Sequence, residues 1–411
     1  MGVGSAVGLL YADRTLTDGS GAYNRVLGGY ARLVFGGRYT LTTQVAGALT
    51  READEEGNDG MRPLLQVDFQ RGGRGLSWNV SLTDVHPDFR ARSGFITRTG
   101  DTNLNAGMTL TRFGRPGSVL ERTSVRASSG NFFRHEEFWR GDLPFEHEVE
   151  IWPSFSFRGG RTLTFVFRRG YFRFLPEDYE GYEVQGQAGP ESFQLPGALD
   201  NLMAWGWMPR LRINNQLNVN GSTFFRDVPI YAEASRGYEI QASSEIQYRP
   251  TTQLQLSLNY RYSKIWREST ATGLTSLTSA GFATPPGTIT IPQTVTTRTP
   301  YSTVTIPRLR VQYQFNKSLF LRGVGQYELE RRDALTDPIT GRTLLIDGSP
   351  AEARSTGEFQ GQLLLQYEPS PGTIFYVGFS RLMEGDRSYR LGEMKPLDEA
   401  LFLKLSYLFR M

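Results

Sequence analysis

Residues 401–409 alternate without a break. Leu401, Leu403, Leu405, Tyr407 and Phe409 share one parity, and Phe402, Lys404, Ser406 and Leu408 share the other, ahead of Arg410 and Met411. A period of two with greasy residues on one side means a β-strand whose two faces meet different surroundings. In a soluble protein the greasy face is buried in a core. In a membrane barrel it faces lipid, and the polar face meets a wet interior. One strand cannot separate these cases; the rest of the chain can.

The same pattern recurs along the whole sequence. Tyr238, Ile240, Ala242, Ile246 and Tyr248 alternate with Glu239, Gln241, Ser243, Glu245 and Gln247. Leu254, Leu256, Leu258, Tyr260 and Tyr262 alternate with Gln255, Ser257, Asn259, Arg261 and Ser263. Leu309, Val311, Tyr313 and Phe315 oppose Arg308, Arg310, Gln312 and Gln314; Leu321, Tyr327 and Leu329 oppose Arg322, Gln326, Glu328 and Glu330. Tight-turn chemistry joins such segments in pairs: Gly36-Gly37-Arg38, Arg71 to Gly75, Gly114 to Gly117, Gly159-Gly160 and Asn214-Asn215. Every other connection is longer and more polar: Arg51 to Met61, Val85 to Thr102, Asn131 to Asp142, Leu175 to Gly197, Arg226 to Arg236, Arg267 to Thr299, Arg332 to Thr356 and Glu384 to Glu399.

Alternating short and long connections have no reason to exist in a propeller. They are expected of outer-membrane barrels, with short periplasmic turns and long extracellular loops. The sequence therefore predicts an all-β, transmembrane antiparallel up-and-down β-barrel of about 18 strands, with 1–411 as one barrel domain and both chain ends periplasmic. Many segments exceed the five or six residues usual for soluble strands and suit the roughly ten of a membrane-spanning strand. The Arg267–Thr299 stretch, rich in Thr, Ser, Gly and Pro, is expected as a loop that folds into the mouth or moves freely.

Composition agrees with this. Mean hydropathy is −0.38, and no run approaches the roughly 18 apolar residues of a membrane helix; alternating strands average out as polar. There are no cysteines, which excludes thiolate metal sites and cysteine nucleophiles, and only three histidines. A formal charge of +3 gives no reason to expect a nucleic-acid partner. A barrel must be exported, so a leader is expected ahead of this sequence.

Three groups of residues carry a family likeness. They are Ser5, Val7, Gly8, Tyr11 and Arg14 with Asn24-Arg25-Val26; His86-Pro87-Asp88-Phe89 with Gly94-Phe95-Ile96 and Arg98; and Pro371-Gly372-Thr373 leading to Lys404 through Arg410. Together they resemble the barrel region of a bacterial family catalogued as domain of unknown function 5916. The resemblance runs essentially end to end. It implies a Gram-negative outer-membrane location and a longer parent protein: a signal peptide, a sandwich resembling the family 9 carbohydrate-binding module, then the barrel. That sandwich and the earliest barrel strands are not in this sequence, which is expected to be the C-terminal part of the whole. The family has no established activity.

Few residues offer chemistry. Asp84 and His86 share a face at a strand end and could activate water, as rim carboxylate–histidine pairs do; the plainer reading is a polar strand end in the headgroup layer. His147 lies on an apolar row with Phe145, Val149 and Ile151, and the sequence puts no serine beside it. Glu146, Glu148 and Glu150 form a ladder expected to neutralise interior arginines such as Arg168. Asp54 through Asp59 is acidic but lacks the spaced ligands of a calcium loop, and no metal or cofactor is expected. Tyr179, Tyr182, Phe193 and Trp205 could stack on sugars or anchor at the interface. The residues expected to face the lumen are Arg168, Glu239, Glu245, Arg261, Arg308, Arg310, Arg322 and Glu328.

The functional expectation is a pore, or a membrane platform, for uptake or handling of small polar solutes such as carbohydrates. The partners expected are outer-membrane lipid and lipopolysaccharide. The alternatives are an outer-membrane hydrolase using Asp84 and His86, and a plugged structural or secretion-associated barrel.

Overall fold

Alternation becomes register in the structure, a computed structural model that describes residues 2–53, 60–94, 96, 98–278, 288–370, 372–385 and 390–407. Of 269–278 and 288–296 it describes the backbone alone, and of Leu391 no side chain. The acidic run from Asp54 to Asp59, together with Phe95, Pro371 and Leu408 to Met411, lies outside the described residues.

Eighteen strands form one antiparallel sheet in which each strand pairs with the next one along the chain. This is the up-and-down arrangement of the outer-membrane barrel class. Among the described residues no helix is long and apolar enough to cross a membrane. Two compact units divide the chain: Met1–Arg158, Thr164–Leu175 and Ala198–Met203 make one, and the remaining residues make the other.

The first unit runs through β1 (Ala6–Thr15), β2 (Tyr23–Phe35), β3 (Tyr39–Arg51), β4 (Arg62–Arg71), β5 (Leu76–Val85), β6 (Asp101–Phe113), β7 (Leu120–Arg134), α1 (His135–Arg140) and β8 (Glu146–Phe157), with most of β9 (Arg161–Phe172). The turn between β2 and β3 needs positive φ at two successive residues, and Gly36 and Gly37 supply +56° and +63°. At this short-turn end the rings of Phe35, Tyr39, Phe69 and Trp78 pack with centroids 5.0–6.4 Å apart. Higher on the same face Leu9 and Val45 remain 88% and 54% exposed. Apolar rows this bare, ending in an aromatic cluster, suit lipid and an interfacial girdle.

The second unit begins with two short loop strands, β10 (Tyr182–Gln185) and β11 (Pro190–Ser192). It continues with β12 (Leu199–Arg212), β13 (Leu217–Ile230), β14 (Ser235–Tyr248), β15 (Leu254–Thr278), β16 (Thr288–Gln314), β17 (Leu319–Arg332), β18 (Leu344–Ile346), β19 (Ser349–Pro350), β20 (Arg354–Ser370), β21 (Thr373–Gly385) and β22 (Lys395–Ser406). The unit boundary runs within β9 and within β12. Along the final strand Leu401, Leu403 and Leu405 are 72%, 66% and 71% exposed, and the residues between them are exposed as well; among the described residues no second sheet packs on the row. In register beside them Leu363 and Phe379 stay half-exposed.

Several expected loops are something else. Arg267–Thr299 is the outer part of a hairpin, with Arg267 opposite Thr299 and the ladder continuing to Thr278 opposite Thr288. Its Thr, Val and Ile residues read as loop by polarity, but β-branched side chains favour extended backbone. Arg226–Arg236 is mostly strand, closed by a 3-10 turn at Tyr231–Glu233 with Ala234 at φ +48°. Asn131–Asp142 contains the end of β7 and the short helix α1, which stops at Gly141 with φ +82°. The two long connections Leu175–Gly197 and Arg332–Thr356 pair with each other. They form a second sheet in the order β11-β10-β18-β19, with Tyr182 opposite Ile346 and Val184 opposite Leu344. Val184, Leu335 and Leu344 are its buried core, flanked by Phe193, Tyr301 and Ile346.

Candidate functional site

All three histidines of the chain fall at the long-loop end of β5–β8. Asp84, one residue from the end of β5, stands opposite Thr102 on β6. It is only 3% exposed, and a carboxylate so enclosed must be paired or hydrogen-bonded. Three donors meet it. The Thr102 hydroxyl donates to Oδ1 at 2.5 Å, His135 Nδ1 approaches the same oxygen at 2.8 Å, and Trp139 Nε1 donates to Oδ2 at 3.1 Å. An ionised carboxylate only accepts, so His135 carries its proton on Nδ1.

The sequence placed Asp84 beside His86, but His86 does not bond to it. The His86 ring lies edge-on to that of His135, centroids 5.0 Å apart, and its Nδ1 accepts the Asp88 backbone N–H at 3.1 Å. Burial, the neighbouring His135 and the Arg62 guanidinium together push His86 below the ordinary histidine range. A neutral ring with its proton on Nε2 fits both facts. Sequence reasoning missed Thr102, His135 and Trp139, which lie 18 to 55 residues from Asp84.

His147 is held separately. Its Nδ1 lies 2.7 Å from Asn131 Oδ1, while the Asn131 amide donates to the Leu104 carbonyl and to Ser129 Oγ. Those two acceptors fix the amide's orientation, so His147 is the donor. Among the described residues no hydroxyl is hydrogen-bonded to any of the three rings. A carboxylate-oriented imidazole is half of a general-base arrangement. Here it pins α1 to the sheet, with Trp139 60% exposed beyond it.

The polar face is the second region with chemistry. Arg168 pairs with Glu148 at 3.3 Å, and Trp152 donates to Glu150. In the second unit Glu239, 5% exposed, takes Arg226 at 2.5 Å and Ser263 at 2.7 Å. Glu245 accepts from Gln247 at 2.7 Å. Arg261 and Arg308 are exposed; Arg310, Arg322 and Glu328 are half-buried, and Glu328 stands opposite Glu358. Among the described residues, no group of acids and histidines is arranged to hold a metal ion.

The loop sheet is latched to the strands of its own unit. Glu233, 1% exposed, takes a two-pronged contact from Arg267, at 2.9 Å and 2.8 Å to Nε and 2.7 Å to Nη2. It also accepts the Thr336 backbone N–H at 2.9 Å, while Arg267 donates to the Ala334 carbonyl. Arg342 bridges to Glu191, 151 residues away, at 2.9 and 2.6 Å, and that contact holds the Glu191 carboxyl below its ordinary range. Tyr179, Tyr182 and Phe193 cluster in this assembly with centroids 5.2–5.9 Å apart. Trp205 stacks on Phe225 at 4.6 Å.

No known protein family and no curated protein matches the chain. Solved structures that resemble it include OmpT, an outer membrane protein of Vibrio cholerae, with 12% identity over 88% of this chain and 97% of that one, TM-score 0.35. OccAB3 of Acinetobacter baumannii is similar with 10% identity over 98% and 97%, TM-score 0.36. The siderophore receptor PirA of the same species gives 10% over 97% and 73%, TM-score 0.42. At these scores the fold assignment rests on the chain's own sheet and its bare apolar rows.

Proposed function

We propose that this chain is a barrel of the bacterial outer membrane that lets small polar solutes, sugars among them, cross it. One observation carries the reading. Rows of leucine and aromatic side chains stand bare on one face, while the residues between them form a hydrogen-bonded polar surface. In water, that much exposed apolar area would drive association; in lipid it is the stable arrangement. Lipid then covers the apolar rows, lipopolysaccharide lies against the rim, and the short turns and both chain ends are periplasmic. Kinship with the domain of unknown function 5916 family belongs to the same reading. Purified protein inserted into planar bilayers is expected to give stepwise conductance. A protein that inserts and never conducts at any voltage would sink it.

The latched loop sheet favours a second, narrower form of this reading, a barrel whose loops restrict passage. In that case Glu233→Gln, which weakens the hold of Arg267 and Thr336, raises conductance; equal conductance in the two proteins counts against it.

A further inference from the structure

Four arginines cross the polar face of β15, β16 and β17 on a diagonal. Arg261 stands opposite Ile306, so Arg308 is its diagonal neighbour. Arg310 lies two residues on and stands opposite Val324, which makes Arg322 its own diagonal neighbour. Diagonal positions on paired strands lie roughly 7–8 Å apart, so each guanidinium is within reach of the next. Like charges at that spacing repel, and a protein usually answers with carboxylates. Two other polar-face arginines of this unit have them: Arg226 has Glu239, and Arg267 has Glu233.

The four arginines of the diagonal make no ion pair among the described residues. The diagonal's cross-strand neighbours on the polar face are uncharged: Ser243, Ser257, Asn259, Gln312 and Gln326. The nearest carboxylates in register, Glu245 and Glu328, are diagonal to the line. Among the described residues neither makes an ion pair with any of the four, and Glu245 accepts from Gln247 instead. Arg310 adds an independent sign. Its Nη2 donates to Gln312 at 2.7 Å, but its Nε is buried without a hydrogen-bond partner. A buried donor of a charged group left unpaired costs free energy, and a planar guanidinium is shaped to meet an oxyanion with two donors at once.

We propose that this diagonal is a binding track for small anions bearing carboxylate or phosphate groups, so that the passage inferred above selects anionic solutes. The proposal rests on the pore reading and names its substrate class. Charge lining of one sign sets selectivity by raising the local concentration of counter-ions along the path.

The test uses the whole protein in planar bilayers under a KCl gradient. The reversal potential is expected to show chloride favoured over potassium. Arg308→Gln with Arg310→Gln should lower that preference several-fold, and Arg308→Lys should keep most of it. Added citrate or inorganic phosphate should reduce the KCl current in the parent and not in the double variant. Block by citrate alone assigns carboxylates, and block by phosphate alone assigns phosphates. Potassium preference in the parent, or selectivity and block unchanged in the double variant, would overturn the proposal while the pore reading stands. If the protein inserts without conducting, the pore reading falls instead. Titration calorimetry of citrate and of phosphate into the detergent-solubilised protein then decides the diagonal: binding lost in the double variant supports it, and absence of binding overturns it.

Discussion

The rim of β5–β8 and the arginine diagonal of β15–β17 are both polar places on a greasy scaffold, and they are built on opposite principles. At the rim one carboxylate, Asp84, is met by three donors from β6 and α1. On the diagonal four cations make no ion pair among the described residues, and one buried N–H has no acceptor. A polar cluster that is satisfied from within holds backbone together and has little left over for a ligand. One that is left unsatisfied costs stability, and it keeps its hydrogen-bonding capacity for something outside the chain. The comparison predicts that the satisfied clusters govern stability and the unsatisfied line governs selectivity.

The sharpest way to break it is at the most saturated cluster. Glu233→Ala leaves Arg267, only 12% exposed, without its counter-charge and frees the Thr336 N–H. Removing one partner of a buried pair typically costs about 3–5 kcal/mol. The loop sheet is expected to become protease-sensitive and the urea midpoint to fall. A variant as resistant as the parent would mean that saturation is not what holds this region.

Asp84→Ala comes next. It strands the Thr102 hydroxyl, which is fully buried, and removes the anchor of His135 and Trp139. An orphaned buried donor costs about 1–3 kcal/mol, so a smaller drop in the urea midpoint is expected, with α1 exchanging its amides faster. Asp84→Asn keeps an acceptor oxygen and should lie between the two. If α1 exchange is unchanged in both variants, the cluster does not pin the helix.

These two sites also show how far the chain was legible. Strands and tight turns are local: period-two alternation and paired glycines such as Gly36-Gly37 are visible within a few residues, and the registers follow from them. The candidate residues at the rim were half legible. Asp84 and His86 stand out because they sit at a strand end, but the true partner of Asp84 is His135, 51 residues on. Nothing local marks that distance; it is set by how β6 and β7 stack beside β5. The loop sheet was missed for the same reason, although one signal was present. Tyr182 with Val184, and Leu344-Leu345-Ile346, are apolar islands inside connections that otherwise read as polar. Such islands need a partner, and each is the other's.

A weaker effect refines the rim. His86 is held below its unfolded value near 6.5, chiefly by burial and then by the neighbouring His135 ring and the Arg62 guanidinium. A lowered folded pKa means that the unfolded chain takes up the proton more readily. Stability from this group is therefore full above the unfolded value and is lost as pH falls through the folded one. The urea midpoint of the parent should drop between about pH 7 and pH 5 by more than that of His86→Gln. Parallel curves for the two proteins would show that the histidine pair adds nothing to the rim's stability.

The smallest expected effect on folding is the most telling. Arg308 is exposed and carries no ion pair among the described residues, so Arg308→Gln should change the unfolding free energy read from urea titration by no more than about 0.5 kcal/mol, as surface substitutions do. It relieves repulsion along the diagonal, and the change is expected to be slightly stabilising. Asp84→Ala should do the reverse, lowering stability without moving ionic selectivity, because its carboxylate is consumed by Thr102, His135 and Trp139. The two variants therefore form a crossed pair, one read by urea titration and the other by reversal potential. If Arg308→Gln destabilises as much as Asp84→Ala, the arginine line is part of the scaffold, and the distinction between satisfied and unsatisfied polarity fails in this protein.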